Sequence, residues 1–148
     1  MGIVFLAIEV RHARTIVELQ TIEDVTNGWI GLNESVVSDP QFARVLIVGH
    51  YNPGALTDVE AVQYSMWWRM YLNQVGRVEK HFQLGLVSQS DYESALHQLA
   101  QTFETPGGQL FYETEPGAEE NWRERLEQFW GGPPDWELML GRDKSAVE

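Results

Sequence analysis

An all-α fold is predicted for this sequence: a long N-terminal helix, then an antiparallel helical hairpin, with short C-terminal helices packed around it as an irregular helical bundle. Three observations predict it. Apolar residues recur at spacings of three and four through most of the chain. Capping residues stand where those stripes begin. No stretch alternates apolar and polar residues convincingly enough to read as a strand.

The first helix is expected over residues 3–37, which contain no proline, with Ile22, Val25, Trp29, Leu32 and Val36 as its buried stripe. Asn27, Gly28 and Gly31 weaken its middle by about 1 kcal/mol per glycine relative to alanine, which leaves room for a kink or a break there. Asp39 before Pro40 reads as an N-cap followed by a first-turn proline. The short second helix carries Phe42, Val45, Leu46 and Val48, and His50-Tyr51-Asn52-Pro53-Gly54 is expected as a turn.

Thr57-Asp58-Val59-Glu60 has the residues of a capping box and opens the central helix, expected over 57–84. Its stripe is read as Val59, Met66, Trp67, Met70, Tyr71, Val75, Val78 and Phe82. Gly85 suits the left-handed position that ends a helix, and Ser88 or Ser90 starts the next. Because the loop is short, the helix over 88–104 must return antiparallel, presenting Tyr92, Leu96, Leu99 and Phe103. Thr105-Pro106 opens a short helix in which Gly107 and Gly108 are read as places of close packing. A further short helix is expected over 119–130, then a break at Gly131-Gly132-Pro133-Pro134 and an acidic tail. The organisation is therefore 1–37 long helix, 38–130 helical domain, and 131–148 break and tail.

Composition limits function. With 148 residues and 43% apolar content the chain can bury one core. It has no cysteine, which removes disulfides, thiolate metal sites and a cysteine nucleophile. The formal charge of −12 disfavours nucleic acid and anionic lipid headgroups as partners. Residues 104–148 hold eleven acids against four bases, so the excess of charge is concentrated at the C-terminal end.

No nucleophile elbow, metalloprotease helix or phosphate-binding loop is present, and no cofactor is expected. Of four histidines, His81 and His97 fall on the paired helices, and Glu93 lies one turn from His97. Neither histidine has a glutamate three residues before it, as a di-metal bundle requires. These three residues are the candidates for a small-ligand or metal site, with or without enzymatic activity, as the alternative reading. In Trp67-Trp68-Arg69, Trp67 is assigned to the core and Trp68 with Arg69 to a candidate interaction surface, because Trp68 lies about 100° further round the helix.

Residues 2–8 are apolar and are followed at once by Glu9, Arg11, His12 and Arg14. Eight residues do not cross a bilayer, which takes about 20. They have instead the pattern of the end of a membrane helix, with Arg11 and Arg14 as positive flanking residues.

Several segments in order resemble a known pattern: the apolar start into Ala7-Ile8-Glu9-Val10-Arg11-His12-Ala13-Arg14, Ser38-Asp39-Pro40-Gln41-Phe42-Ala43-Arg44, Trp67-Trp68-Arg69-Met70-Tyr71, Gln83-Leu84-Gly85-Leu86-Val87, and Thr105-Pro106-Gly107-Gly108-Gln109-Leu110-Phe111-Tyr112. Together they resemble a family of uncharacterised bacterial proteins, a domain of unknown function, with one N-terminal membrane helix before a small helical cytoplasmic domain. The resemblance implies a cytoplasmic domain at the inner face of the cell membrane, with part of the membrane helix missing from this chain, and it transfers no catalytic residue. The expectation is a membrane-associated or peripheral domain that binds a protein partner, with membrane contact through residues 2–8.

Overall fold

The computed structural model describes residues 2–114 together with Phe129, with side-chain surroundings from Phe5 onward. The expected helix over 119–130 and the tail lie outside the described residues, apart from Phe129, which packs against the core. Among the described residues there are five α-helices and no strand: α1 Gly2–Val37, α2 Pro40–Tyr51, α3 Asp58–Gln83, α4 Gln89–Phe103 and α5 Pro106–Thr114, with a 3-10 turn at Pro53–Ala55 between α2 and α3.

The ends of the helices follow from local chemistry. The Asp39 carboxylate accepts the Gln41 and Phe42 N–H groups, which α2 cannot satisfy internally. At α3 the Thr57 hydroxyl accepts the Glu60 N–H, and the Glu60 carboxylate accepts the Thr57 N–H at 2.9 Å, completing the capping box. Arg44 of α2 pairs with the same carboxylate and ties the two helices together. Gly85 takes φ 68°, and the Leu86 and Gly85 N–H groups return to the carbonyls of His81 and Phe82 in a Schellman motif. That turn reverses the chain. Phe82 stacks on Tyr92 with centroids 4.5 Å apart beside it, while Trp68 meets Phe103 at 4.9 Å at the far end, so α3 and α4 are antiparallel as expected. Ser88 is the cap of α4.

The core is centred on α3, on a stripe the sequence reading did not isolate. Tyr64, Trp68, Tyr71, Val75 and Val78 are buried, whereas Val59, Met66 and Met70 are exposed. Trp68 is therefore corrected from surface to core: it is 0% exposed, and it packs on Phe103 of α4, Phe111 of α5 at 5.1 Å and His50 of α2 at 6.1 Å. Its neighbour Trp67 is the half-buried one. Two stripes at spacings of three and four run along α3 side by side, and the expectation had drawn residues from both. Arg69 is exposed, as expected.

Helix α1 is continuous through Asn27, Gly28 and Gly31, so the weak middle does not break it. Only its second half packs on the body. Thr21 and Leu32 are buried, Val25, Trp29 and Val36 are half-buried, and Ile22 is largely exposed. Residues 5–20 are exposed apart from half-buried Glu18, so this part of the helix, about 24 Å long, projects from the remainder of the described chain.

Helix α5 reaches the core because its first turn lacks side chains. A Cβ on Gly107 would overlap the Gly49 carbonyl oxygen of α2, a backbone atom that cannot move aside alone. Gly107→Ala should therefore destabilise the protein by about 1–3 kcal/mol, whereas Gly31→Ala, with nothing within 4 Å of the new methyl, should stabilise it by up to about 1 kcal/mol. Trp68→Ala should cost about 3–5 kcal/mol in urea unfolding; a loss of about 0.5 kcal/mol, the scale of surface substitutions, would mean that this indole is not in the core.

Candidate functional site

Four places in the described structure are candidates for a functional role: the projecting half of α1, a groove beside α1, a buried histidine at the junction of α2 and α3, and an exposed apolar seam along α3.

On projecting α1, Phe5 is 66% exposed, and Leu6, Ile8 and Val10 are each more than half exposed. At 100° per residue these four spread over about 200° of the helix circumference, roughly twice the apolar arc that a single packed face presents. The expected flanking residues Arg11 and Arg14 are both exposed, and the Arg14 guanidinium pairs with Glu18 at 2.8 Å. No helix of the described residues is long and apolar enough to cross a membrane.

The groove lies between the second half of α1, the middle of α3 and the start of α4, and its volume is about 610 Å³. Its aromatic surface is built by Trp29, Trp67 and Tyr71: Trp67 stacks on Tyr71 at 5.1 Å, and Trp29 meets Tyr71 edge-on at 5.5 Å. Burial pushes the Tyr71 phenol up to about 12, so it stays a neutral hydroxyl. Asn33, Asp91, Ser94 and Gln98 add polar groups. A buried glutamine holds the α1 side in place. The Gln74 side-chain amide donates to the Val25 carbonyl at 2.8 Å, with its head lying where a side chain on residue 28 would be.

The expected ligand-site residues are not gathered into one centre. His97 is exposed and hydrogen-bonds Gln101 at 3.1 Å, Glu93 accepts from Gln89 at 2.7 Å, and half-buried His81 lies near the end of α3. Among the described residues no group of three or more His, Asp or Glu side chains is placed to hold a metal ion. The histidine the sequence reading assigned to a turn has the more unusual setting. His50 lies in the last turn of α2, is only 7% exposed, and joins its Nδ1 to the Tyr64 hydroxyl at 2.8 Å. The rings of Tyr64, Trp67 and Trp68 stand edge-on to it at 5.4, 5.4 and 6.1 Å. The signal that could have located it is the spacing: Val45, Leu46, Gly49 and His50 continue one helical face.

Burial pushes the His50 imidazole down to about 4 and the Tyr64 phenol up to about 12, so both are neutral across the physiological range. The Trp68 Nε1 is sealed beside them without a hydrogen bond of good geometry, although it lies close enough to Tyr64 to affect that hydroxyl. Such a cluster packs helices together; it offers no exposed base.

A second exposed apolar seam runs along α3. Val59, Val62, Met66 and Met70 follow at spacings of three and four, each more than half exposed, with Arg69 at its flank.

Because the folded imidazole is harder to protonate than the unfolded one, the unfolded chain takes up the extra proton between pH 6.5 and 4. Stability is thus full above pH 6.5 and falls through that window, by about 3 kcal/mol. The difference in urea midpoint between the wild type and His50→Gln should narrow from pH 7 to pH 4; parallel profiles would refute the assignment.

Comparison with protein-family models, with curated proteins and with solved structures gives no match to this chain, so the all-α fold stands without a family, and the resemblance to a membrane-anchored bacterial family gains no support from them.

Proposed function

We propose that the protein is a membrane-associated interaction domain: the tip of α1 enters one leaflet of a bilayer, and the helical body carries the surface for a protein partner. The observation behind this reading is the exposure of Phe5, Leu6, Ile8 and Val10 around most of a projecting helix. A partner helix would cover one stripe and leave the other directions wet, whereas lipid surrounds all of them. Residues 2–8 span about 10 Å along the helix axis, comparable with the roughly 15 Å of hydrocarbon in one leaflet and well short of a span. Glu9, Arg11 and Arg14 then fall at headgroup depth.

The contact is apolar rather than electrostatic, because a chain of charge −12 is repelled by anionic lipid. Phe5, Leu6 and Ile8 each contribute about 1.5–3 kcal/mol on full burial, which gives reversible attachment of the strength of a single acyl chain. The protein partner is assigned to the α3 seam of Val59, Val62, Met66 and Met70, where methionine adapts to differently shaped surfaces.

A second reading, a small-ligand-binding helical bundle, is favoured by the aromatic groove rather than by His81, His97 and Glu93.

Flotation with zwitterionic phosphatidylcholine vesicles tests the first reading. The full chain should float in part, and both a chain beginning at Arg11 and the full chain carrying Leu6→Asp with Ile8→Asp should remain in the dense fraction. If the full chain also remains there, or the double variant floats equally well, membrane contact by this tip is refuted.

A further inference from the structure

We propose that the groove between α1, α3 and α4 is a binding site for an amphipathic organic cation: a flat or branched apolar body carrying one protonated amine. The volume of about 610 Å³ lies within the range of about 300–1,000 Å³ typical of small-molecule sites, and the mixture of a largely apolar wall with a few polar groups is theirs as well.

The class of ligand follows from charge. Among the described residues that line the groove, Asp91 alone bears a formal charge, and none is a lysine, arginine or histidine. Its Oδ2 accepts the Ser88 hydroxyl at 2.6 Å as part of the start of α4, which leaves Oδ1 for a donor from the ligand. Opposite charge is also what the π faces of Trp29, Trp67 and Tyr71 attract, since a cation within about 6 Å of such a ring is held by its quadrupole. A carboxylate or phosphate ligand would meet Asp91 with no cationic side chain among the described lining residues and the field of a chain of charge −12 around it. An uncharged ligand of the same shape would gain the apolar contacts alone.

The site also sits on the part of α1 that continues directly into the projecting segment, so a ligand here braces that helix against α3 and α4. The inference does not rest on membrane attachment, and its test contains no lipid.

The probe is dansylcadaverine, which carries a naphthalene ring and a primary amine on a five-carbon arm, titrated into the full chain and read by energy transfer from tryptophan to dansyl. Dansyl-6-aminohexanoate, with a carboxylate in place of the amine, and dansyl pentylamide, which is uncharged, are the matched controls. Saturable binding is expected, with the amine about tenfold tighter than the carboxylate and about fivefold tighter than the uncharged compound, the scale of one partly exposed ion pair. Asp91→Asn should reduce both preferences to below about twofold while leaving the uncharged compound's affinity unchanged. Ser94→Trp, at an exposed lining position, should fill the groove and abolish saturable transfer without disturbing the core; helical circular dichroism and the unfolding midpoint check that it folds. Absence of saturation, equal affinity for the three compounds, or undiminished binding to folded Ser94→Trp would each overturn the proposal.

Discussion

Trp68 is the side chain on which the body of this protein is assembled. It contributes a large apolar area, and the helices that cover it come from three parts of the chain: α2 through His50, α4 through Phe103 and α5 through Phe111. Helix α1 joins one turn further along, where Trp29 meets Tyr71. An indole of this size is fully sealed only if several elements converge on it, because one neighbouring helix covers one side. The convergence in turn demands close backbone approach, met by Gly49 and Gly107, where α2 and α5 touch with no side chain between them. Core packing and the glycine pair are thus one constraint stated twice.

The buried polar pair of His50 and Tyr64 lies inside the same cluster. Two neutral groups satisfying each other cost little to bury, whereas either one alone would be left as an unpaired polar atom. Their hydrogen bond has a preferred geometry that hydrophobic contact lacks, and it fixes how the end of α2 sits against α3. The energetic weight still rests with the aromatic packing; the pair adds orientation.

Helix ends were legible in the sequence because caps act locally. Asp39, Thr57 with Glu60, Gly85 and Ser88 each do their work within about four residues, so the chemistry is fully contained in the segment that displays it. The choice between Trp67 and Trp68 was not local. Both belong to stripes with helical spacing, and two polar-tipped residues, Tyr64 and Gln74, sit on the buried stripe while Val59, Met66 and Met70 give the exposed one its apolar look. Which stripe is covered depends on helices supplied from elsewhere in the chain. The groove was illegible for the same reason: Trp29, Trp67 and Asp91 are separated by many residues, and no linear pattern joins them. His50 was hidden by Asn52-Pro53-Gly54, whose turn signal is genuine but begins one residue after α2 ends at Tyr51.

The length of α1 links the two outer features of the molecule. Its hydrogen-bonded backbone runs unbroken from the apolar tip to the groove, so a rotation of the second half about its axis turns the first half by the same angle. That rotation is opposed by few groups. Among the described side chains of α1 only Thr21 and Leu32 are buried outright, and the Gln74 amide on the Val25 carbonyl is a polar pin whose direction is specific. The groove beside it leaves part of the α1 face without contact from the other described residues. Whatever fills the groove therefore adds contact to the half of the long helix that packs on the body, and the orientation of the projecting tip depends on the same seam that would hold a ligand.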